Sequence, residues 1–340
     1  MTTLVETTGW LVGIESETGD EAPIRDAISQ RLHEFDQIRV ADSLIVGEPG
    51  EGRRLLVGHL DTVPLQGDLG PVVDGDRLYG LGATDMKSGL AVMIHLIETL
   101  GTSDLVGVFY AGEEGPLSGN DLGPILSEVA WITKAEAAFV LEPTDREVQA
   151  GCNGAINASV GFDGVAAHSA RPWLGENAVT KAGLFLEMMN TRQPEEHEVG
   201  GLIFKEVISV TRAWGGVANN IVPSRFEMNV NYRFAPDKTL DEAVEVLSEV
   251  CAEADTFVPV DIAPAGAVDV DHPLFAALIE SSGGEVVGKQ GWTDVAQLSQ
   301  AGIPAINFGP GETSLAHKPG ESVRVSDLDW AYESLLAVLG

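Results

Sequence analysis

Basic residues are scarce in this sequence of 340 residues. It has 20 lysines and arginines against 52 aspartates and glutamates, which gives a formal net charge of −32. Binding to nucleic acid needs a basic surface, so this composition argues against nucleic acid as a partner. Two interpretations of the acidic surface stay open: it keeps the protein soluble, or it is an adaptation to high salt. A gain in stability from low to molar salt would favour the second.

Cysteine and long apolar runs are scarce as well. Cys152 and Cys251 are the only cysteines. Two such distant thiols do not form a disulfide framework, which favours a reducing compartment. Because no apolar run reaches the length that crosses a bilayer, we expect no membrane partner. The first 21 residues lack a basic start and an uninterrupted apolar core, so we expect no secretion signal and a cytoplasmic protein.

Apolar periodicity divides the chain into two kinds of structure. Over residues 1–150, buried-type strands such as Arg54–His59 alternate with helical patterns such as Ser88–Leu100. This alternation predicts an α/β domain with a mainly parallel sheet and helices on both faces. Later segments such as Arg225–Phe234 alternate polar and apolar residues, which is typical of a half-exposed antiparallel sheet. The α/β pattern returns at about Asp271.

The change of pattern indicates an insertion. A chain of 340 residues exceeds the usual size of one hydrophobic core, so two domains are expected. We assign residues 1–156 and 267–340 to one α/β domain in two pieces. Residues 157–266 form the predicted inserted α+β domain, which combines an antiparallel sheet with amphipathic helices.

A group of imidazole and carboxylate side chains lies at or just beyond the ends of predicted strands in the α/β domain: His59, Asp61, Asp85, Glu113, Glu114, Glu142 and His317. Ligands of an open α/β sheet bind outside the carboxyl ends of its strands, so these loops are expected to meet in one crevice. Imidazole nitrogen and carboxylate oxygen are suitable donors to zinc. Adjacent carboxylates such as Glu113 and Glu114 repel each other unless cations compensate, which favours a metal site over a solvated pair.

Several short motifs occur in order over nearly the whole chain: GHLDTVP (58–64), LYGLGATDMKSG (78–89), FYAGEEG (109–115), LEPT (141–144), AHSARP (167–172) and AHKPGE (316–321). They resemble those of the zinc-dependent aminoacylase and carboxypeptidase superfamily. Within that superfamily, the tracts NYRFAPD, GWTDVA and PAINFGPG resemble those of succinyl-diaminopimelate desuccinylases, particularly the actinobacterial ones. The resemblance implies a hydrolase of linear amides with two Zn²⁺ per subunit, for which Co²⁺ is an expected substitute.

The resemblance also assigns roles to the clustered residues. Asp85 is expected to bridge two zinc ions. His59 and Glu142 complete one site by this resemblance, and Glu114 and His317 complete the other. The remaining two members of the cluster have roles around these metals.

Asp61 is expected to accept the second ring N–H of His59 and so fix its tautomer. Glu113 is the expected general base, which takes a proton from the water between the metals and passes it to the leaving amine. Zinc lowers the pKa of bound water towards about 7, so a carboxylate base suffices at neutral pH.

The charges of the expected metal centre nearly cancel, because two Zn²⁺ carry four positive charges and four carboxylates return four negative ones. Carboxylates of a substrate therefore need cations from elsewhere. By the resemblance, Arg233 pairs with a substrate carboxylate through its bidentate fork. His168 reaches the scissile carbonyl from the partner subunit or after domain closure. The resemblance places Asn219, Asn220 and Thr293 near the same substrate.

One tract departs from the desuccinylase pattern. Proteobacterial desuccinylases have Arg-Arg-Gly-Ser where this sequence has Cys152-Asn153-Gly154-Ala155, so two contacts to substrate carboxylate are missing. We hypothesise that Arg171, in the inserted domain, supplies the lost cation.

The resemblance implies hydrolysis of N-succinyl-LL-2,6-diaminopimelate to succinate and LL-2,6-diaminopimelate, a step in lysine and diaminopimelate biosynthesis. Acetylornithine deacetylase, another N-acyl-amino-acid deacylase and a metallo-exopeptidase remain alternatives. A non-catalytic metal-binding protein is disfavoured, because nothing structural explains Glu113 beside Glu114. The resemblance also implies a homodimer formed through the inserted domain, which serves as a lid.

Overall fold

The computed structural model describes residues 2–64 and 70–340 of the chain. Its strands are β1 (Gln37–Val40), β2 (Ser43–Val46), β3 (Arg54–His59), β4 (Val72–Asp74), β5 (Arg77–Tyr79), β6 (Leu105–Tyr110), β7 (Ala137–Val140), β8 (Val148–Ala150), β9 (Gly154–Asp163), β10 (Ala167–His168), β11 (Glu195–Val199), β12 (Leu202–Gly215), β13 (Ile221–Val222), β14 (Arg225–Phe234), β15 (Thr256–Ala263), β16 (Val286–Gly288), β17 (Ala305–Asn307) and β18 (Ser322–Arg324).

The helices of the described residues are α1 (Leu4–Val12), α2 (Ala22–Arg31), α3 (Lys87–Leu100), α4 (Leu122–Glu128), α5 (Ala178–Lys181), α6 (Gly183–Thr191), α7 (Leu240–Val250), α8 (Pro273–Ser282), α9 (Val295–Gln300) and α10 (Val325–Leu339). Short 3-10 turns lie at Leu117–Gly119, Ile132–Lys134, Pro172–Leu174 and Thr313–Leu315. None of these helices combines the length and the apolar character needed to cross a membrane.

The chain forms two compact units. The first contains Met1–Gly151, Gly266–Lys289 and Thr293–Gly340, and the second contains Cys152–Ala265 and Gln290–Trp292. An eight-stranded sheet in the order β1-β2-β6-β3-β7-β17-β8-β16 forms the centre of the first unit. Four neighbouring pairs are parallel, namely β6–β3, β3–β7, β7–β17 and β8–β16, and the other three are antiparallel. The predicted α/β class with a mainly parallel sheet is confirmed.

Helices cover both faces of this sheet. On one face α3 packs so closely on β3 that a Cβ atom added to Gly58 would lie 2.8 Å from Leu90 Cδ2. On the opposite face, Val57 and Val108 belong to a buried cluster that also includes Leu298 of α9. Because both faces are covered, β3, β6 and β7 are almost wholly buried, which explains their continuous apolar sequences.

The second unit is an antiparallel sheet with helices on one face. Its strand order is β11-β12-β14-β9-β15. Buried and half-buried residues alternate along all of β14, the period of two that one covered face requires. Helix α7 begins at a capping box in which Thr239 and Glu242 satisfy each other's backbone N–H groups. The inserted α+β architecture is therefore present.

The boundaries of the insert follow hydrogen bonds that the sequence does not reveal. The second unit begins at Cys152 rather than at residue 157, because β9 already pairs with β14 from Gly154 onward. A three-residue segment from much later in the chain also belongs to it. There Gln290 Oε1 accepts the backbone N–H of Lys205 at 2.8 Å, and the Trp292 indole donates to the carbonyl of Pro264 at 3.0 Å.

Candidate active site

The carboxylate of Asp61, just beyond the end of β3, holds the loop that follows β6. Its Oδ1 accepts the backbone N–H of Glu113 at 3.1 Å, and its Oδ2 accepts that of Glu114 at 3.0 Å. The hydroxyl of Thr18 donates to Oδ2 at 2.9 Å. Burial alone would raise the pKa of Asp61, but interaction with His59 and these donors lowers it. Asp61 is therefore a fully buried anion that fixes two neighbouring glutamates.

His59 contacts Asp61 through its ring nitrogen Nδ1. Its Nδ1 lies 3.0 Å from the backbone carbonyl oxygen of Asp61 and 3.5 Å from the carboxylate Oδ1. The nearest acceptor for the ring N–H is thus the carbonyl. Nε2 lies 3.1 Å from Asp85 Oδ1. A neutral His59 that donates its Nδ1–H to the carbonyl would offer the lone pair of Nε2 to a cation.

Asp85 lies between two histidines. Its Oδ1 is 3.1 Å from His59 Nε2, and its Oδ2 is 3.3 Å from His317 Nε2. Burial opposes ionisation, but hydrogen bonds to the two imidazoles hold the pKa of Asp85 well below its usual range. The Asp85–Met86 peptide bond is cis. One carboxylate thus presents one oxygen to each imidazole, which is the arrangement that a carboxylate bridging two cations needs.

Two further carboxylates flank the histidines. Glu114 Oε1 lies 2.8 Å from His317 Nε2. Glu142 Oε1 lies 3.6 Å from His59 Nε2, and it is buried without a hydrogen-bond partner among the described residues. Burial, and then the charge of Asp85, raise the pKa of Glu142 to about 7. A buried carboxylate oxygen without a donor is costly unless a cation compensates it.

The donor set fits a pair of divalent cations. The Nε2 atoms of His59 and His317 each lie near one oxygen of the shared Asp85 carboxylate. Each also lies near a second carboxylate, Glu142 for His59 and Glu114 for His317, and the buried Oε1 of Glu142 has no hydrogen-bond donor among the described residues. Ligand atoms of His59, Asp85 and Glu114 lie within 4.8 Å of one another. The residues that could hold the two ions are His59, Asp85, Glu114, Glu142 and His317.

Glu113 extends from the loop that Asp61 holds. Burial raises its pKa well above the usual value; the charge of His59 opposes this rise, and those of Glu142, Asp294 and Glu114 reinforce it. A carboxyl group with a raised pKa accepts and keeps a proton near neutral pH more readily than an ordinary glutamate. Its position is suited to general base chemistry beside the five possible ligands.

A model of Peptidase family M20/M25/M40 matches residues 55–340. The chain belongs to this family. The M20 family hydrolyses amide bonds and depends on two metal ions, so this chain is a metallohydrolase of the same class. The motif-based assignment to the zinc-dependent aminoacylase and carboxypeptidase superfamily is confirmed.

Individual relatives of this M20 chain extend over nearly its whole length. It is 39% identical to a Mycobacterium tuberculosis (strain ATCC 25618 / H37Rv) protein named "Putative succinyl-diaminopimelate desuccinylase DapE", over 99% of this chain and 98% of the relative. It is 36% identical to the Corynebacterium glutamicum succinyl-diaminopimelate desuccinylase, over 94% and 91%. Among solved structures, a Staphylococcus aureus tripeptidase shares the fold, with a TM-score of 0.79 at 19% identity over 98% and 96% of the two chains.

His317 reaches the M20 site from an unexpected kind of segment. The sequence placed it just beyond a strand, but β17 ends at Asn307 and a 3-10 turn at Thr313–Leu315 intervenes. The backbone of His317 is left-handed, with φ of 59°. Hydrogen bonds to Asp85 and Glu114 raise the pKa of the imidazole to about 10, against the opposing effect of burial.

A buried polar network behind the site was missed from the sequence. Asp294, fully buried next to Thr293, accepts hydrogen bonds from the Tyr110 hydroxyl at 2.5 Å and the Gln297 amide at 2.6 Å. The amide of Asn120 also donates to it, at 3.0 Å. The available signal was an aspartate inside the GWTDVA tract, where a charge in an apolar segment needs a partner. Thr293 itself is buried in the first unit.

The expected substrate residues of the second unit lie in two places. Strands β10 and β13 form a short ribbon in which the backbone N–H of Arg171 donates to the carbonyl of His168 at 2.7 Å. The carbonyl of Asn220 accepts the N–H of Ser169 at 2.9 Å, and Asn219 precedes it in the same turn. The side chains of these predicted residues are exposed.

Arg233 lies instead on the five-stranded sheet of the second unit. It is half-buried, and its Nε donates to Asn231 Oδ1 at 3.1 Å. The structure therefore gathers the predicted metal and base residues in the first unit. It gathers His168, Arg171, Asn219 and Asn220 on the ribbon of the second.

A second group of possible metal ligands in the inserted unit has its own cation. Atoms of His197, Glu206 and Asp237 lie within 4.8 Å of one another. Lys238 Nζ, however, lies 2.8 Å from Glu206 Oε1 and 3.3 Å from Asp237 Oδ1. The lysine compensates these carboxylates, so the cluster is an ion-pair network within the fold.

Proposed function

We propose that this M20 enzyme is a two-zinc desuccinylase. It converts N-succinyl-LL-2,6-diaminopimelate to succinate and LL-2,6-diaminopimelate, a reaction of lysine and diaminopimelate biosynthesis that we place in the cytoplasm. The observation that carries this proposal is the similarity to two desuccinylases over nearly the full chain. The arrangement of Asp85 between two histidines supports the metal part of the proposal independently.

The proposed ligands divide into two sets that share Asp85. His59 and Glu142 hold one zinc ion with it, and Glu114 and His317 hold the other. The pair of ions, when bound, supplies an acidified water as nucleophile and polarises the amide carbonyl. Co²⁺ is expected to replace zinc in both sets, since the same nitrogen and oxygen donors suit it.

Glu113 carries the proton transfers of the proposed reaction. Its carboxylate takes one proton from the attacking water and then gives a proton to the departing amine nitrogen. Because Asp61 binds the backbone N–H of Glu113, the loop that carries the base cannot move away from the site without breaking a hydrogen bond to a buried anion. Asp61 acts here by positioning both the base and His59.

The second unit is proposed to recognise the substrate. His168, with Asn219 and Asn220, supplies hydrogen-bond donors to the oxyanion that develops at the scissile carbonyl. Their exposure on one ribbon is suited to contact with a substrate or with a partner subunit. We further propose that the protein is a homodimer formed through this unit, which closes as a lid over the substrate.

Arginine side chains of the second unit give the first prediction. Arg233→Ala is expected to raise the KM for the succinyl substrate by roughly 10- to 100-fold, because a charge-assisted hydrogen bond contributes about 1.5–3 kcal/mol. Arg171→Ala should also raise this KM, because Arg171 is proposed to replace the missing arginine contact. Arg212→Ala is the matched control, since Arg212 lies over the Trp214 ring and has no proposed substrate role. An unchanged KM in the Arg171 variant would remove Arg171 from the substrate site.

A substrate panel tests the proposed function. The zinc-loaded enzyme is assayed with N-succinyl-LL-2,6-diaminopimelate, N-acetylornithine, other N-acetyl amino acids and dipeptides. We expect kcat/KM for the succinyl compound to exceed the others by about 100-fold or more, since a site built to bind a carboxylate rejects analogues without it. Preference for N-acetylornithine or a dipeptide would identify one of the alternative deacylases or an exopeptidase. Bound metal with no turnover on any amide would indicate a non-catalytic metal-binding protein.

A further inference from the structure

Glu321 is a buried carboxylate that contacts the loop carrying Asp85. Only 1% of Glu321 is exposed. Its Oε1 accepts the backbone N–H of Thr84 at 2.9 Å and that of Asp85 at 3.0 Å, and the backbone of Gly82 also donates to this carboxylate. These N–H groups precede α3 and would otherwise need another acceptor in the interior. The carboxylate therefore organises the backbone of the segment that presents Asp85.

The backbone around Glu321 ties the same loop to the segment that carries His317. The N–H of Gly80 donates to the carbonyl of Glu321 at 3.0 Å, and the hydroxyl of Thr84 donates to the carbonyl of Ser322 at 2.9 Å. Strand β18, which follows Glu321 directly, pairs with β5, which precedes the loop. Glu321 and its neighbour Ser322 therefore join the loop that carries Asp85 to the segment that carries His317.

We propose that Glu321 is a positioning residue of the metal centre, in addition to Asp61. Glu321 contacts neither metal nor substrate in this proposal. It fixes the position of the Asp85 backbone relative to the segment that carries His317. By doing so it sets the spacing of the ligands that would share two ions. Partners of this kind around a metal site typically change metal affinity by about 10- to 100-fold when removed. The proposal rests on the metal-binding part of the proposed function.

The test compares Glu321→Ala and Glu321→Gln with a matched control. Glu206→Gln serves as the control, because Glu206 is also buried and also accepts a backbone N–H, from Ala235 at 2.8 Å, but lies in the second unit. The chelator-treated proteins are titrated with Zn²⁺ and with Co²⁺. The measurements are both dissociation constants, the visible absorption of the Co²⁺ form, kcat, and the Tm of the metal-free protein.

We expect E321A to raise the dissociation constant of the weaker-bound ion by about 10- to 100-fold and to alter the Co²⁺ spectrum. E321Q should raise it by about fivefold, because a neutral amide oxygen accepts the same N–H groups less strongly than a carboxylate. E206Q is expected to lower the Tm while both dissociation constants stay within about twofold of the wild-type values, since its loss affects only the other unit's fold.

Lowered Tm in E321A with unchanged dissociation constants and an unchanged Co²⁺ spectrum would overturn the proposal, because Glu321 would then only stabilise the fold. Should E321A fail to fold, the same comparison on E321Q decides. A wild-type protein that binds fewer than two ions would contradict the proposed metal centre itself. That outcome differs from one in which the protein binds two ions tightly and neither dissociation constant changes in the Glu321 variants.

Discussion

The Glu113→Gln enzyme is expected to bind two metal ions and to lose about 10³-fold in kcat, within the range that a positioned general base contributes. Glutamine has nearly the same size, but its amide cannot take the proton of the attacking water. The backbone N–H of residue 113 still donates to Asp61, so the loop keeps its place. The measurements are kcat with the succinyl substrate and metal content per chain.

A matched control for this variant is Glu128→Gln. Glu128 ends α4 in the same unit and is exposed, so its charge has no role in the site. Its kcat should equal that of the wild type. The acid limb of the pH–kcat profile, which reports the base in the enzyme–substrate complex, should disappear only in the Glu113 variant. Wild-type turnover by Glu113→Gln would show that another group accepts the proton.

Removal of the metals is expected to abolish activity and to make stability fall as pH rises. In the metal-free protein the pKa of Glu142 is about 7, raised first by burial and then by the charge of Asp85. Its protonated form is favoured by folding, so this contribution is complete below the ordinary glutamate pKa and is lost as pH rises through about 7. A shift of this size corresponds to about 3 kcal/mol.

Other groups of the site act in the same direction. Burial raises the pKa of Glu113. Hydrogen bonds to Asp85 and Glu114 raise that of His317 to about 10. A histidine with a raised pKa stabilises the fold fully below its ordinary value, and this contribution is lost as pH rises through the folded value. The lowered pKa of Asp85 acts only in more acidic solution, since its contribution is lost as pH falls below the ordinary aspartate value.

The measurement is the Tm of the chelator-treated protein at about pH 5, 7 and 9, beside the same protein reloaded with Zn²⁺. Metal ions compete with protons for the same ligands, so the reloaded protein should gain most stability at the higher pH. A metal-free Tm that stays constant or rises from pH 5 to 9 would contradict the expected repulsion among the carboxylates. Activity that survives complete chelation would contradict the two-zinc proposal.

The parts of the fold that sequence predicts well are those with a strong pattern. Strands β3 and β14 begin and end where the apolar sequence of Arg54–His59 and the alternation of Arg225–Phe234 predict. Both patterns are direct consequences of burial, on two faces for β3 and on one face for β14. Gathering the polar residues after β3, β6 and β7 needs only the rule that parallel strands end at the same edge.

Other parts of the site depend on contacts that no local pattern encodes. His317 itself has a left-handed backbone and follows a 3-10 turn, and nothing in the local sequence predicts this conformation for a histidine. Asp294 and Glu321 were overlooked because a lone acidic residue in a sequence is usually solvated, and only its burial reveals a set of donors. The roles of these residues follow from partners distant in the chain.

The segment Gln290–Trp292 has a consequence for dissecting the protein. A fragment comprising only Cys152–Ala265 would lack the two hydrogen bonds that Gln290 makes to the backbone of Lys205 and Ile203. It would also lose the indole that covers the carbonyl of Pro264. A separate version of the insert therefore keeps these contacts only if it carries the tripeptide, and a deletion that removes only Cys152–Ala265 takes the carbonyl partner of the Trp292 indole away.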